Sequence, residues 1–398
     1  MMNIQMILSD NTFPPDIRVK KETKSLIQRG YNVYLLARQG KNQSKNEIYE
    51  GVFIERTHLP LYDVKSVGGF LYYYLYRYLL FFPILFTSWK NKADALHVHD
   101  LPLALAACFA GKILRKPVIF DMHEDYVDMI ASWGSKTERG AKGAVIRILS
   151  KILAIEELFC VAASTKIIVV IDEEVGRLRD MGVPEEKVVV ISNTVDLYEL
   201  KNIKLNSIPP KLVGKFVISY VGGFSNHRGL ETLIKALPLI IKDIPNAHLL
   251  LVGDGLIEAQ LKSLAIELGI ENKVTFTGWI PFEEAMSYVN ASHLCAVPYD
   301  KTRLTNKSFP HKICQYMYFK KPILASDVTS LARIIGNAQC GIIFEAENPE
   351  DLARKVVEAK NGNTLEKMGV AGRIAAEDKY NWEQSAQALI SIYNNLPR

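Results

Sequence analysis

Short runs of β-branched and other apolar residues alternate with longer amphipathic stretches along the whole 398-residue chain. In the first half the runs fall at Ile4–Leu8, Asn32–Ala37, Val52–Arg56, Ala95–Val98, Val118–Asp121, Lys166–Ile171 and Val188–Ile191. Helical periodicity fills most of the intervals, as in Ile17–Arg29 and Leu103–Leu114. The series restarts at Phe216–Val221 and continues through Ala247–Val252, Val274–Thr277, Leu294–Val297, Ile323–Ala325 and Gly341–Phe344. Strands separated by helices predict parallel sheets with right-handed crossovers, and two such series predict two doubly wound α/β domains. Between them Asn202, Asn206, Ser207, Pro209, Pro210 and Gly214 interrupt the periodicity. That composition predicts a linker over 196–214, a first domain over 1–195 and a second over 215–380. A final helix is expected over 381–398, with Ala386, Leu389, Ile390 and Tyr393 on one apolar face.

Composition changes this picture little: 48% hydrophobic and 23% charged residues suit a folded chain of two domains. Charge adds more. Lys and Arg against Asp and Glu give 21 − 14 = +7 over residues 1–151 and 27 − 29 = −2 over the rest, so the net +5 resides in the first part. Such asymmetry suggests an anionic surface as partner. Five scattered cysteines without a Cys-x-x-Cys argue against a zinc site or disulfide framework and fit a reducing cytosol. The first ten residues read as a strand, not a secretory signal.

Three segments carry candidate chemistry. The strand Phe216–Val221 runs into Gly222-Gly223-Phe224-Ser225-Asn226-His227-Arg228-Gly229 and then a helix. Glycine amides, a helix N-terminus and the Arg228 guanidinium together suit a phosphate, although a tight turn with a solvated Arg has the same pattern. Ser308-Phe309-Pro310 leads into a short helix that places Lys312 and Gln315 on one face, a second candidate anion site or a plain surface helix. In the first half, Val118–Asp121 ends in Met122-His123-Glu124, so His123 is expected at a strand C-terminus, where ligands sit in doubly wound sheets. His97, His99 and Asp100 end the preceding strand, but no further ligand follows at a helpful spacing and no metal is assigned.

Taken together, these segments resemble glycosyltransferase family 4, retaining enzymes of the GT-B fold. The resemblance rests on Asp16-Ile17-Arg18-Val19 with Glu22, Gly30-Tyr31-Asn32-Val33, Phe120-Asp121-Met122-His123-Glu124 and Ser192-Asn193-Thr194-Val195-Asp196. Val252-Gly253-Asp254-Gly255, Phe276-Thr277-Gly278-Trp279-Ile280 and Val297-Pro298 follow in the same order. It implies two Rossmann-like domains facing a central cleft, with the C-terminal helix packing back on the N-terminal domain. It also implies an acceptor side that includes Asp16, Arg18 and Asp100, and His123 contacting the transferring sugar. Arg228 takes the place of a diphosphate-binding Lys. Gly222, Gly223, Gly253, Ser308, Phe309, Pro310 and Lys312 surround the donor, and Gln315 stands where the family usually has a ribose-binding Glu. This chain departs from the family pattern at Lys307 and Gln315, which replace a Glu-x7-Glu pair, at Gly222-Gly223, which replaces Gly-Arg, and at Phe13-Pro14-Pro15, which replaces a glycine pair.

The resemblance implies a retaining transfer of a sugar from a nucleotide-diphosphate donor, a UDP-sugar being favoured. No Asp-x-Asp is present to hold a divalent cation, so Arg228, Lys312 and helix N-termini are expected to stabilise the leaving diphosphate without metal. The stretch 70–89 has ten aromatics and a single charge, Arg77, and 136–151 is basic and amphipathic. A membrane span is rejected, because it would place strands of one sheet on opposite sides of the bilayer. A helix buried on the first domain and an element lying in the headgroup region remain alternatives. The second predicts a cytoplasmic protein on the inner membrane face, with a glycan or lipid-linked acceptor in polysaccharide or glycolipid synthesis. A nucleotide-sugar epimerase and a degenerate, non-catalytic partner subunit are the competing readings. No nucleic-acid reader motif appears.

Overall fold

The computed structural model describes residues 1–14, 16–57, 76–136, 141–207 and 209–397. The chain forms two compact units, Met1–Ser192 with Ser385–Arg398, and Asn193–Gln384.

The first unit contains β1 Asn3–Thr12, β2 Asn32–Arg38, β3 Asn46–Tyr49, β4 Val52–Thr57, β5 Ala95–His99, β6 Val118–Met122, β7 Lys166–Val169 and β8 Val188–Val190. They form one sheet in the order β3-β4-β2-β1-β5-β6-β7-β8. All neighbours are parallel except β3, which runs antiparallel to β4 at the edge. Sequence reasoning missed β3 because three of its four residues are exposed and it has no apolar face. β5 and β6 are buried along their whole length, as expected of strands covered by helices on both faces.

The second unit contains β9 Phe216–Val221, β10 Ala247–Val252, β11 Val274–Phe276, β12 Leu294–Val297, β13 Ile323–Ser326 and β14 Gly341–Phe344. Their order, β11-β10-β9-β12-β13-β14, is the Rossmann sequence of an all-parallel sheet. The order reverses between β9 and β12, and in the first unit between β1 and β5. Ligands bind such sheets beyond the strand C-termini at these reversals.

Residues read as a linker fold onto the second unit. Leu197–Lys201 is helical and packs on the helix Lys312–Tyr318. Leu200 and Leu212 are buried, and the Asn206 amide donates to Ser287 Oγ at 2.9 Å. Polar and Pro-rich composition hid these two apolar anchors. The last helix, Trp382–Asn394, contributes its C-terminal part to the first unit, where Leu389, Ile392 and Tyr393 are buried.

The aromatic stretch yields a short 3-10 turn at Arg77–Leu80 and a helix Phe81–Lys90; residues 70–75 lie outside the described residues. Arg77 is buried and ion-paired with Glu156 at 2.5 Å. The basic segment 136–151 is not one helix: Tyr126–Lys136 and Ala141–Ala163 are separate, and 137–140, with Arg139, are not described. No helix among the described residues is long and apolar enough to cross a membrane.

Candidate active site

In the first unit, charged residues gather at the C-terminal ends of β5 and β6. Asp121 on β6 is fully buried. Arg18, on the helix Ile17–Gln28, donates to both of its oxygens, with Nη2 2.9 Å from Oδ1 and 3.1 Å from Oδ2. Arg18 also reaches Glu22 at 3.0 Å and the Ile191 carbonyl at 2.9 Å. His123 Nε2 lies 3.2 Å from Asp121 Oδ2 and 3.1 Å from His99 Nδ1, while its Nδ1 lies 3.4 Å from Asp100. The His123 amide donates to Asp100 Oδ1 at 3.1 Å.

Burial and charge set the protonation of this cluster. Burial alone would raise Asp121, but Arg18 and His123 outweigh it and hold the carboxyl well below its usual range. Burial would lower His123, yet Asp100 and Asp121 push it up to about 9, so the ring is cationic at neutral pH. Burial and the Asp121 charge raise Glu22 to about 8, which makes it a neutral acid. Burial, with His97 beside it, lowers His99 to about 3, and burial also lowers His97. Asp100 adopts φ 64° and ψ 162°, a region nearly reserved for glycine. Its carboxylate faces His123.

Ligand atoms of Glu22, His97, His99 and Asp121 all lie within 4.8 Å of one another, so tertiary structure supplies the partners that sequence spacing lacked. Arg18 already spans the Asp121 carboxylate and the neutral Glu22 acid of that group, and its guanidinium does there what a cation would.

The second unit builds a different site at the β9–β12 reversal. Lys312, the first residue of the helix Lys312–Tyr318, is buried, with Nζ 4.0 Å from the Tyr220 ring centre and 5.9 Å from that of Tyr299. Arg228 lies over the same Tyr299, 4.7 Å from its centre. Among the described residues neither cation has a carboxylate within ion-pair distance. Burial, with the Arg228 charge nearby, pulls the Lys312 ammonium well below the usual lysine range. The helix Leu230–Asp243 begins beside Arg228 at Gly229, which provides no side-chain cap. Its N-terminal dipole therefore adds to the positive field.

Two family descriptions cover most of the chain: "Glycosyltransferase Family 4" matches residues 18–199 and "Glycosyl transferases group 1" matches residues 204–375. The chain belongs to the family 4, group 1 glycosyltransferases. It is similar to "Uncharacterized glycosyltransferase MJ1607" of Methanocaldococcus jannaschii, at 25% identity over 76% of this chain and 75% of that protein. It is also similar to "Capsular polysaccharide biosynthesis glycosyltransferase CapM" of Staphylococcus aureus, at 22% identity over 95% and 93%. The solved structure of Anabaena Alr3699/HepE in complex with UDP-glucose has the same fold, with TM-score 0.69, 16% identity and full coverage of both chains. The fold is GT-B, and the protein is a transferase.

Within this glycosyltransferase the predicted residues fall into distinct positions. Arg228, Lys312, Gly222 and Gly223 come together around Tyr220 and Tyr299. Gly222 is favoured by its backbone, φ 137°, and a Cβ there would also stand 2.7 Å from the flexible end of Lys312. A Cβ on Gly253 would stand 2.3 Å from the Gly222 carbonyl. Their amides are not free for an anion: Gly222 donates to Val252 at 2.9 Å and Gly253 to Gly278 at 3.1 Å. The same holds for part of the second candidate loop. The Ser308 amide donates to Thr305, and those of Ile313 and Cys314 donate to Pro310 and His311. Phe309 is buried near Tyr380, and Gln315 is buried on the same helix face as Lys312. Asp16 caps the helix Ile17–Gln28 through Val19, and Arg18 is a buried strut. Of the acceptor-side trio only Asp100 keeps a partly exposed carboxylate in the His123 cluster.

Sequence reasoning passed over Asp121, the hub of the first cluster, and the Tyr220–Tyr299 pair beneath the two cations. Asp121 was signalled by its position two residues before His123. Tyr299 was signalled by its place just after the end of β12.

Proposed function

We propose that the chain is a retaining, metal-independent transferase that uses a nucleotide-diphosphate sugar, with a UDP-sugar favoured. The acceptor is a glycan or lipid-linked glycan in cell-envelope polysaccharide or glycolipid synthesis, met at the inner face of the membrane. One observation carries the reading: Arg228 and Lys312 share Tyr299 and have no carboxylate partner among the described residues. A buried lysine and a half-buried arginine without an anion suit a diphosphate, whose binding would restore the full charge of Lys312. The Anabaena structure with UDP-glucose and the capsular relative from Staphylococcus support the donor and acceptor classes.

In the proposed reaction the acceptor hydroxyl attacks the anomeric carbon from the face the diphosphate leaves. The C–O bond to phosphate breaks, the new glycosidic bond forms, and the acceptor proton passes to the departing phosphate. Arg228, Lys312 and the N-terminus at Gly229 stabilise the charge that builds on the leaving oxygen. Gln315 accepts a ribose hydroxyl through its amide oxygen. His123, held as an imidazolium by Asp100 and Asp121, presents its positive charge to the transferred sugar and is no general base at neutral pH. Asp100 faces the acceptor, while Arg18 and Asp16 keep the frame in place.

A thermal-shift screen of nucleoside diphosphates, followed by turnover in EDTA, tests this. UDP should raise the melting temperature by mass action, and turnover should be unchanged by the chelator. Strict dependence on Mg²⁺ or Mn²⁺, or no stabilisation by any diphosphate, defeats the proposal.

A further inference from the structure

Apolar side chains point outward along three neighbouring helices of the first unit. In Phe81–Lys90 the outer positions are Phe82, Phe86 and Trp89, which are 65, 56 and 67% exposed, while Thr87 and Ser88 face inward. Ile84 is buried beside them, so the helix seats an apolar inner face and still leaves three aromatics outside, where an ordinary surface helix carries polar residues. Leu101–Leu114 packs beside it and exposes Phe109 and Ile113. Ala141–Ala163 packs on Leu101–Leu114 and exposes Ile148, Ile152, Ile155 and Phe159 at helical spacing. Phe109 and Phe159 stack at 5.4 Å, joining two of the helices into one surface. An exposed apolar face of this extent marks an interaction site on a folded protein.

Its charges identify the partner. Lys90, Lys112, Arg147 and Lys151 are exposed on these helices, and Lys92 and Arg115 follow two of their ends. The acids on the same helices, Glu156 and Glu157, turn inward and pair with Arg77 and Arg177. Lys90 is ion-paired with Glu55 at 2.9 Å, and the other charged side chains described on the outer face of these helices, Lys112, Arg147 and Lys151, are all basic. A second copy would bring like charges together, whereas an anionic bilayer neutralises them while aromatic and aliphatic side chains enter the headgroup region.

We propose that the helices Phe81–Lys90, Leu101–Leu114 and Ala141–Ala163 form one docking surface that lies flat on an anionic lipid bilayer. This rests on the lipid-linked acceptor proposed above and names the surface that brings the enzyme to it. The sequence pointed to 70–89 and 136–151; the contribution of Leu101–Leu114 and of residues 152–159 is visible only in the fold.

The test is co-sedimentation of the full chain with phosphatidylcholine vesicles, with or without about a third phosphatidylglycerol. Binding should require the anionic lipid and weaken with salt. It should fall about tenfold in Phe86→Glu with Ile152→Glu, both at exposed positions. Trp89 fluorescence should shift to the blue on binding, and Trp89→Phe should remove that shift. Binding that ignores lipid charge, or that survives the double substitution, overturns the proposal. So does a dimer in sedimentation that the double substitution breaks while vesicles are ignored. UDP binding measured in the same variants keeps this separate from the glycosyl-transfer reading: it should be unchanged, whichever way the vesicle result falls.

Discussion

The two charged sites of this enzyme obey opposite rules. In the first unit, Arg18 and His123 are matched by Asp121 and Asp100, and the surplus acid Glu22 is kept neutral. In the second, Arg228 and Lys312 stand over Tyr299 and Tyr220 with no carboxylate within ion-pair distance among the described residues. A buried cluster that balances its own charge contributes mainly to the architecture, and only the partly exposed His123 and Asp100 are left to meet a ligand. A cluster that leaves cations uncompensated spends folding free energy to hold a place for an anion. The position of such a deficit is a stronger guide to the proposed donor site than the glycines around it, where the Gly222 and Gly253 amides are used by the protein itself.

The sharpest way to break this contrast is Asp121→Ala. It strands Arg18 and His123 and should cost about 3–5 kcal/mol of stability, read from urea unfolding followed by a first-unit probe. A loss below about 1 kcal/mol would show that the cluster is not a structural unit. Arg228→Ala should do the reverse, leaving the unfolding midpoint near its original value and weakening transition-state binding on the order of 2–4 kcal/mol in kcat/KM. Arg228→Lys should recover part of that loss, since it keeps the charge and loses the planar fork. Near-normal turnover in Arg228→Ala would place the diphosphate elsewhere.

The first cluster also predicts a pH dependence. Glu22 is raised from 4.5 to about 8 and His123 from 6.5 to about 9, so the folded state holds more protons than the unfolded chain. Their stabilisation is complete below the unfolded values and is lost as pH rises through the folded ones, most of it between pH 6.5 and 9. His99 acts oppositely: lowered to about 3, it stabilises above 6.5 and loses that contribution as pH falls. Stability of the first unit should therefore stay nearly level between about pH 4.5 and 6.5, where Glu22 and His99 act in opposite senses, and drop by up to about 5 kcal/mol by pH 9. A flat profile across that range would mean that Glu22 and His123 titrate normally. The smallest effect belongs to Gln315. Gln315→Ala should weaken UDP by about 1 kcal/mol, and Gln315→Glu should strengthen it, since an ionised acceptor makes the stronger bond. Calorimetric titration that finds neither change would make Gln315 a structural residue of its helix.

Much of this was legible in the chain itself. Periodicity placed most of the strands within a residue or two, and the order of short motifs identified the family, because strand ends and glycine turns are local features. The exposed edge strand Asn46–Tyr49 escaped because it has no apolar alternation to reveal it. The stretch 196–214 was misread because Leu200 and Leu212, its anchors on the second unit, sit among polar and proline residues. Asp16 and Arg18 were read as facing an acceptor, yet one caps a helix and the other spans 103 positions to reach Asp121.

What the sequence determined alone was the number of α/β units, the identity of their strand ends and the residue types available there. Only the tertiary structure decided how those residues divide their charges. It brought Glu22 to His97 and Asp121, seated Tyr393 on His97 at 2.7 Å, and set Lys312 against a tyrosine 92 positions earlier. The reason is physical. Backbone periodicity depends on neighbours a few residues away, whereas ionisation and binding depend on distance and burial in space, which parallel crossovers assemble from remote parts of the chain.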